Sequence, residues 1–295
     1  MTTLVDKSLY TNYRGNSNLK KAGEQVEFTP EMIEEYLKCK NDILYFAENY
    51  VKIITLDDGL VTIKLFDFQK EIIEKVANNR RVAVNTSRQA GKTTTATIII
   101  LHFILFSQHK KVALLANKGD SAREILDRIQ IAYEALPKWL QQGVVEWNKG
   151  RVELENGCVV LATATSSSSI RGQSVAFLYI DETAHVENWT DFASAVLPTI
   201  SSGKSTKVLY TSTPNGLNHF QKTCIGAKEG KNGFQYVEVP WWEIPCRDEA
   251  WKEETLQTLD YDLNKFEQEY CCSFMGSQGT LISMAKIKQL AGIYV

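Results

Sequence analysis

The sequence predicts an α/β fold in which a mainly parallel central sheet is flanked by helices. Apolar runs typical of buried strands alternate with helical patterns over residues 81–135, an order that favours crossover helices between parallel strands. A further run, 176–180, is wholly apolar, as strands buried on both faces of a parallel sheet are. The alternation then resumes as far as residue 209, so the same sheet is expected to extend along much of the chain.

The first elements can be assigned in chain order. Thr29 and Pro30 are the N-cap and first residue of a helix whose pattern continues towards Tyr50. The strands and helices that follow are predicted at Val82–Val84, Thr93–Ser107, Val112–Ala116 and Ser121–Ala135. A hairpin is expected over residues 144–154, turning at Asn148-Lys149-Gly150, and a second turn at Glu155-Asn156-Gly157 leads into Cys158–Thr163.

The last part of the chain has a different composition. Beyond about residue 230 it becomes aromatic and acidic, with a strand expected at Phe234–Trp242 and short helices at Glu249–Leu259 and Leu263–Cys271. We therefore expect three parts: a flexible polar arm over 1–28, a core over 29–230, and a smaller lid-like subdomain with a C-terminal segment over 231–295.

Composition excludes several classes of protein. The 295 residues carry 33 basic and 35 acidic side chains, a net charge of −2, so a broad basic coat for nucleic acid is absent. Any DNA contact must come from local patches such as Lys20-Lys21, Arg80-Arg81 or Lys110-Lys111. The six cysteines form no C-x-x-C pair, which argues against a zinc site or a disulfide framework. The apolar stretch 96–106 is too short to cross a bilayer.

The most informative motif lies between the strand at 81–85 and the helix that follows. It resembles the phosphate-binding pattern G-x-x-x-x-G-K-[ST], with Thr86 in place of the first glycine. Backbone N–H groups of such a loop and the start of the next helix bind phosphates, Lys92 would reach the β- and γ-phosphates of ATP, and Thr93 would ligate Mg²⁺. The nucleotide-binding residues expected are Gln69, Ser87, Arg88, Gln89, Ala90, Gly91, Lys92, Thr93 and Thr94.

Two strand ends carry polar side chains that suit phosphoryl transfer. Asp181 and Glu182 follow the apolar run 176–180, where Asp181 would hold Mg²⁺ and Glu182 would deprotonate the attacking water. Thr211, Ser212 and Thr213 end another apolar run, and a hydroxyl cluster there could sense hydrolysis beside the γ-phosphate. Taken alone, each run is also compatible with an ordinary strand that ends in polar residues.

Three further positions are candidates for a functional role, and two of them, Gln69 and Arg171, also have an ordinary interpretation. Gln69 could read the adenine edge while Phe66 or Phe68 stacks on the ring, or it could be an ordinary glutamine on an amphipathic helix. Arg88, within the phosphate loop, could stabilise charge on the γ-phosphate in cis as an arginine finger. Arg171 could act in trans on a neighbouring subunit's nucleotide or contact DNA, or it could be a solvated loop residue.

Together these residues resemble the large terminase subunit of T-even-type tailed bacteriophages, the ATPase of a DNA-packaging motor. The resemblance extends from about Cys39 to Ser283, and its segments are Asp67-Phe68-Gln69, Ser87–Thr94, Val145–Gly150, Tyr179–Glu182, Thr213–Phe220 and Gly279–Ser283. The Trp-Asn-Lys-Gly and Pro-Asn-Gly-Leu-Asn-His-Phe runs are the most specific, because no general ATPase needs them. In this family the first glycine of the loop is often absent and an arginine follows the serine, as here.

The resemblance implies properties that the residue patterns alone do not. The fold would be a P-loop ATPase core with an added strand that bears the catalytic glutamate. The chain would act in the cytoplasm of the infected bacterial host as a ring, of five subunits, on the portal of a prohead, together with the small terminase subunit. It would translocate double-stranded DNA, with no membrane involved. Family members also carry a C-terminal nuclease domain whose metal-binding acidic cluster is not found in this sequence, so DNA cutting is not expected of it.

Two other functions remain open at this point. A helicase-like ATPase could remodel nucleic acid without a capsid, although the Trp-Asn-Lys-Gly hairpin argues against it. A nucleotide-binding scaffold could bind the portal or small terminase without turnover, although the intact Asp181-Glu182 pair argues against that.

Overall fold

A computed structural model describes residues 12–166, 170–201 and 203–275 of the chain. The expected motif at Gly279–Ser283, most of the serine run before Arg171 and the first part of the predicted arm lie outside the described residues. Within them, no helix is both long and apolar enough to cross a membrane.

An eight-stranded sheet forms the centre of the fold, and a separate two-stranded hairpin joins β1 (Lys52–Thr55) to β2 (Gly59–Thr62). The strand order across the large sheet is β10-β3-β9-β8-β4-β7-β6-β5. The first six strands in that order are parallel, and β6 and β5 continue the sheet as an antiparallel hairpin. The bounds are β3 Arg81–Thr86, β4 Lys111–Ala116, β5 Val144–Trp147, β6 Arg151–Leu154, β7 Val159–Ala164, β8 Phe177–Ile180, β9 Lys207–Ser212 and β10 Gln235–Val239.

Helices cover both faces of this sheet, which confirms the predicted fold class. They are α1 Pro30–Asn41, α2 Ile43–Tyr50, α3 Asp67–Asn78, α4 Lys92–Phe106, α5 Gly119–Glu134, α6 Trp189–Val196, α7 Pro198–Ser201, α8 His219–Lys228, α9 Glu249–Thr258 and α10 Leu263–Tyr270. One apolar core contains residues of α2–α5 and the other contains residues of α6–α8. Neighbouring residues of a strand pack into opposite cores: Val82 and Val84 lie in the first core and Ala83 lies in the second.

Side-chain caps decide where the first two helices begin. Thr29 Oγ1 accepts a hydrogen bond from Met32 N, 3.3 Å away, as predicted for the start of α1. The helical pattern expected to run on to Tyr50 is interrupted at Asp42, whose Oδ1 accepts from Leu44 N at 2.9 Å and so starts a second helix. An aspartate that binds nearby backbone N–H groups favours a cap over a helix interior.

The predicted hairpin and second turn are confirmed. Asn148 Oδ1 accepts hydrogen bonds from Gly150 N at 2.9 Å and Arg151 N at 2.7 Å, which closes the turn between β5 and β6. Gly157 has a φ of 74°, a left-handed conformation that favours glycine, and it lets β6 return as β7.

Two parts of the expected domain division differ from the structure. Residues 235–239, predicted in the smaller subdomain, form β10 and pair with β3 inside the main sheet, because Val237 and Val239 are buried in its first core. The segment 12–22, predicted as part of a flexible arm, is held against the core: Leu19 is 1% exposed, and Lys20 Nζ lies 3.1 Å from Glu155 Oε1. The helices α9 and α10 have a small core of their own, formed by Trp241, Leu256 and Phe266.

Candidate active site

The predicted site residues meet at the carboxyl edge of the sheet. β9 lies between β3, which leads into the phosphate loop, and β8, which leads into Asp181 and Glu182. Because these strands are parallel, their carboxyl ends open on the same edge, where α/β sheets bind ligands.

The loop between β3 and α4 has the backbone shape of an anion site. Gln89 and Gly91 have φ values of 56° and 73°, both in the left-handed region, and α4 begins directly afterwards at Lys92. The positive φ favours glycine at position 91, and a Cβ added there would also crowd Gln69 Nε2 at 3.0 Å. Thr86, where the motif usually has glycine, is the last residue of β3. Because its backbone is part of a strand, glycine is not required at this position. Such a turn before a helix presents N–H groups to an anion.

Lys92 and Glu182 form the central contact of the site. Lys92 Nζ lies 2.6 Å from Glu182 Oε1, and the lysine side chain is 12% exposed. The other carboxylate oxygen, Oε2, accepts a hydrogen bond from Ser212 Oγ at 3.2 Å and lies 3.5 Å from His185 Nδ1. Burial raises the pKa of Glu182, but the neighbouring His185 side chain and the charge of Lys92 together outweigh it and lower the pKa to about 2. The carboxylate is therefore ionised before any ligand binds.

Asp181 lies in a more enclosed network. Thr211 Oγ1 donates to its Oδ1 at 2.7 Å, and Thr93 Oγ1 lies 3.5 Å from its Oδ2. Tyr179 OH is 3.1 Å from Thr211 Oγ1, which extends the network into the sheet. Burial raises the pKa of Asp181 above its ordinary value, against the opposing charge of Lys92. A cation at Asp181 would offset the cost of burying this charge.

Two chemically suitable oxygens can hold a divalent cation here. The Thr93 hydroxyl, in the first turn of α4, and the Asp181 carboxylate, at the end of β8, lie 3.5 Å apart. Hard oxygen donors supplied by one or two side chains are what Mg²⁺ uses when substrate phosphates and water complete its coordination. Among the described residues, no cluster of three or more histidine, cysteine or acidic side chains suits a metal.

The backbone at Glu182 is unusual. Its φ and ψ of 48° and 47° lie in the left-handed region, which is uncommon for a residue with a side chain. Two hydrogen bonds hold the turn that follows: Thr183 Oγ1 donates to Ile180 O at 2.9 Å, and Ala184 N donates to Ser212 Oγ at 3.1 Å. Strained backbone of this kind persists where the surroundings determine it and is concentrated at functional sites.

The Pro-Asn-Gly-Leu-Asn-His-Phe run contacts the same turn. Asn218 Nδ2 donates to Ala184 O at 2.7 Å, and His219 Nε2 lies 2.6 Å from Thr183 O. Asn218 also caps α8 by accepting from Phe220 N at 2.9 Å. This run therefore holds the turn after Glu182 in place, a role that the sequence motif alone did not indicate.

The hydroxyl cluster at the end of β9 contacts both carboxylates. Thr211 bonds to Asp181 and Ser212 to Glu182, while Thr213 is buried and lines the adjoining cleft. That cleft has a volume of about 330 Å³ and is lined by Arg88, Asn117, Lys118, Ser121, Glu182, His185, Thr213 and Glu269.

Gln69 is buried rather than exposed to a nucleotide base. It is 4% exposed; its Oε1 accepts from Phe66 N at 3.0 Å, and its Nε2 donates to Thr95 Oγ1 at 3.3 Å. Both ends of the amide are thus engaged between the start of α3 and the start of α4. Phe66, by contrast, is 42% exposed, with its ring 5.6 Å from that of Phe68.

The two candidate arginines lie in different surroundings. The Arg88 side chain is 60% exposed at the cleft, with Nη1 3.6 Å from Glu269 Oε2. Arg171 is exposed, does not line that cleft, and forms no ion pair with any described residue. Of the two arginines, Arg88 therefore lies at the candidate site of its own chain, and Arg171 does not line that cleft.

Sequence reasoning missed several residues of the site. His185 follows Glu182 by three positions, and this spacing was available as a signal. Asn117 and Lys118 follow β4 at the same sheet edge as the other strand ends. Arg247 donates to Ser87 Oγ at 2.8 Å, but no local pattern indicates a contact across 160 residues.

A family model described as "Terminase large subunit, T4likevirus-type, N-terminal" matches residues 84–289. The match includes the loop lysine, both carboxylates, the hydroxyl cluster and Arg247, and it starts after Gln69.

Solved structures of phage proteins have a similar fold. The ATPase domain of the Thermus phage P74-26 large terminase is 22% identical, with a TM-score of 0.58 over 72% of this chain and 94% of that one. The HK97 bacteriophage large terminase is 17% identical, with a TM-score of 0.65 over 79% of this chain and 55% of that one. The large terminase of the thermophilic bacteriophage D6E, in complex with ADP, is 12% identical, with a TM-score of 0.56 over 72% and 54%. The chain thus spans about half the length of the HK97 and D6E proteins.

Proposed function

Because the chain belongs to the T4-like-virus type of terminase large subunits, which act in phage DNA packaging, we propose that it hydrolyses Mg-ATP to drive double-stranded DNA into a prohead. One observation carries the proposal: the loop lysine and the candidate base, Lys92 and Glu182, meet at 2.6 Å although they follow different strands, β3 and β8, which are separated by β9. A phosphate-binding group and a water-activating group at one point are what ATP hydrolysis requires.

The loop residues bind the substrate. The N–H groups from Gln89 to Thr94 face the β- and γ-phosphates, whereas those of Ser87 and Arg88 are bonded to Val239 O and Glu269 O. Lys92 neutralises the phosphate charge. Thr93 and Asp181 would hold Mg²⁺, which would supply stabilisation of negative charge on the phosphates. Gln69 supports the loop from behind through Thr95, so Phe66 is the more accessible contact for the adenine ring.

Glu182 acts as the base that positions and deprotonates the attacking water. Its low pKa in the ligand-free chain depends in part on Lys92, which a γ-phosphate attracts more strongly because the phosphate carries more charge. As Lys92 turns towards the phosphate, the pKa of Glu182 rises, and the carboxylate becomes a better proton acceptor when substrate is present. Arg88 supplies further positive charge at the cleft in cis, and Arg171 is available to a neighbouring subunit or to DNA.

The hydroxyl cluster couples chemistry to movement. Thr211 and Ser212 each bond to one of the two carboxylates, so a change in charge at either one alters the hydrogen bonds at the end of β9. The turn at Asn215–Asn218 and α8 follow directly, and they carry the change outward.

The partners belong to the same proposal. The chain works with the portal of the prohead and the small terminase subunit as a homo-oligomeric ring of five, in the cytoplasm of the infected bacterial host. A helicase would instead separate strands, so a strand-separation assay that gives product would overturn the packaging role.

The central experiment compares steady-state ATP hydrolysis of the wild type with Glu182→Gln over a range of protein concentrations. We expect a loss of about 10²–10⁴-fold in kcat with nucleotide affinity retained, because a positioned base contributes on that scale. The exposed neighbour Glu187→Gln is the matched control and should hydrolyse ATP at the wild-type rate. If Glu182→Gln turns over as fast as wild type, the assigned base is wrong. If wild type binds ATP without turnover at every concentration, either hydrolysis requires a partner or the chain is a nucleotide-binding scaffold.

A further inference from the structure

Arg247 contacts three consecutive residues of the phosphate loop from outside the main sheet. It lies in the segment between β10 and α9. Its Nη1 donates to Ser87 Oγ at 2.8 Å, and its Nη2 lies 3.0 Å from Arg88 O and 3.3 Å from Gln89 O. One side chain of the small α9–α10 unit therefore binds the outer side of the loop at three points.

The guanidinium is fixed by a ring rather than by an acid. Its central carbon lies 4.5 Å from the centre of the Trp251 ring, on the first turn of α9. No carboxylate of the described residues forms an ion pair with it. Burial lowers the pKa of Arg247, yet a guanidinium remains charged at neutral pH. Its charge is thus directed at loop carbonyl oxygens instead of being neutralised by an acid.

This arrangement determines which way the peptide groups face. In a planar trans peptide the C=O and the following N–H point in opposite directions. Because Arg247 binds the carbonyls of Arg88 and Gln89, the N–H groups of Gln89 and Ala90 point away from it. Consecutive N–H groups turned to one side form an anion-binding concavity, and the left-handed φ of Gln89 completes that geometry.

The preceding N–H groups of the loop are already engaged. Ser87 N donates to Val239 O at 2.7 Å, and Arg88 N donates to Glu269 O at 2.8 Å. The sheet and α10 therefore tie down the start of the loop, whereas Arg247 orients the two peptide groups that come next. The same small unit supplies Arg247 and Glu269, so loop and unit are linked on both sides.

We propose that Arg247 is a positioning residue: it turns the Gln89 and Ala90 N–H groups towards the nucleotide phosphates and couples occupancy of the loop to the α9–α10 unit. The inference rests on the proposed function insofar as the loop must bind ATP. Arg247 touches no reacting atom and acts only through the loop backbone.

The first test measures affinity for Mg-ATPγS by calorimetry, and KM and kcat for ATP, in the full 295-residue chain. Arg247→Ala should weaken ATPγS binding and raise KM about 10- to 100-fold, the scale on which outer-shell supports act. Arg247→Lys should fall between wild type and Ala, because an ammonium keeps the charge but cannot span Ser87 and two carbonyls at once. Lys252→Ala is the control: it contacts Trp241 and Glu249 in the same unit but not the loop, and should bind as wild type does.

A second measurement separates positioning from mere stability. Hydrogen exchange of residues 249–270 should slow when ATPγS binds the wild type, and this protection should be lost in Arg247→Ala. Ser87→Ala should add little to the affinity loss when combined with Arg247→Ala, because residues that share one contact do not act additively.

The outcomes distinguish the two proposals. A wild-type chain that binds no ATPγS would contradict the proposed function itself. If the wild type binds and Arg247→Ala, or Arg247→Lys where Ala does not fold, binds equally well, the positioning role is overturned. A variant with a lower melting temperature but unchanged KM and unchanged protection of α9–α10 would likewise overturn it and leave Arg247 as a purely structural contact.

Discussion

Replacing Glu182 by glutamine should destabilise the nucleotide-free chain, although most of its neighbours are polar. The carboxyl has a pKa of about 2 in the folded chain against an ordinary 4.5. That difference of about 2.5 corresponds to about 3.4 kcal/mol at 1.36 kcal/mol per pKa unit. The Glu182 side chain is 36% exposed, so solvent screening reduces the usable part to about 1–2 kcal/mol.

The pH dependence identifies the source of this stability. A carboxyl whose pKa is lower in the folded chain contributes fully above its ordinary pKa of 4.5, and the contribution is lost as the pH falls towards 2. The difference in unfolding free energy between wild type and Glu182→Gln should therefore be full at neutral pH and fall by about half or more near pH 3.

Urea denaturation at both pH values measures this difference, with Glu187→Gln as an exposed control that should match wild type. Equal stability of Glu182→Gln and wild type at neutral pH would refute the reasoning. Higher stability of the variant would mean that repulsion from Asp181 outweighs the attraction of Lys92.

Three further predictions concern the loop and the residues around the carboxylates. Thr211→Val should leave Asp181 without its hydroxyl donor, and we expect half-maximal hydrolysis to need a higher Mg²⁺ concentration, measured by titration at saturating ATP. Gly91→Ala should abolish ATPγS binding, whereas Gly230→Ala, also at positive φ but with open space around it, should only lower the melting temperature. Asn218→Ala should reduce kcat about tenfold with little change in KM, because it releases the turn after the proposed base, Glu182; an unchanged kcat would contradict that role.

The sequence predicts those parts of the site that depend only on residues adjacent in the chain. The Gly-Lys-Thr loop, the apolar run before Asp181 and the hydroxyls after the next run each depend on a few adjacent residues, and parallel strands bring their ends to one edge. Both turns of the hairpin region were likewise predictable from Asn and Gly.

Longer-range contacts were not predictable in this way. Arg247 lies 160 residues from Ser87, and only the folded chain shows that they meet. The strand at 235–239 was predicted in the smaller subdomain because the sequence around it is aromatic and acidic. It joins the main sheet because it pairs with the edge of β3 that β9 does not occupy, and local composition does not reveal this pairing. Gln69 faces inward because its amide bonds to Phe66 and Thr95, which an isolated helical pattern cannot reveal.

The anchored segment at residues 12–22 has a consequence for the solution behaviour of the chain. β5 is the outermost strand of the sheet, and an unpaired outer strand is a template for joining the sheets of other molecules. Lys20 O accepts from Val144 N at 2.8 Å, and Ala22 N donates to Val144 O at 3.3 Å, so this segment occupies part of the exposed border. The chain thus covers part of a potential site of aggregation with its own residues.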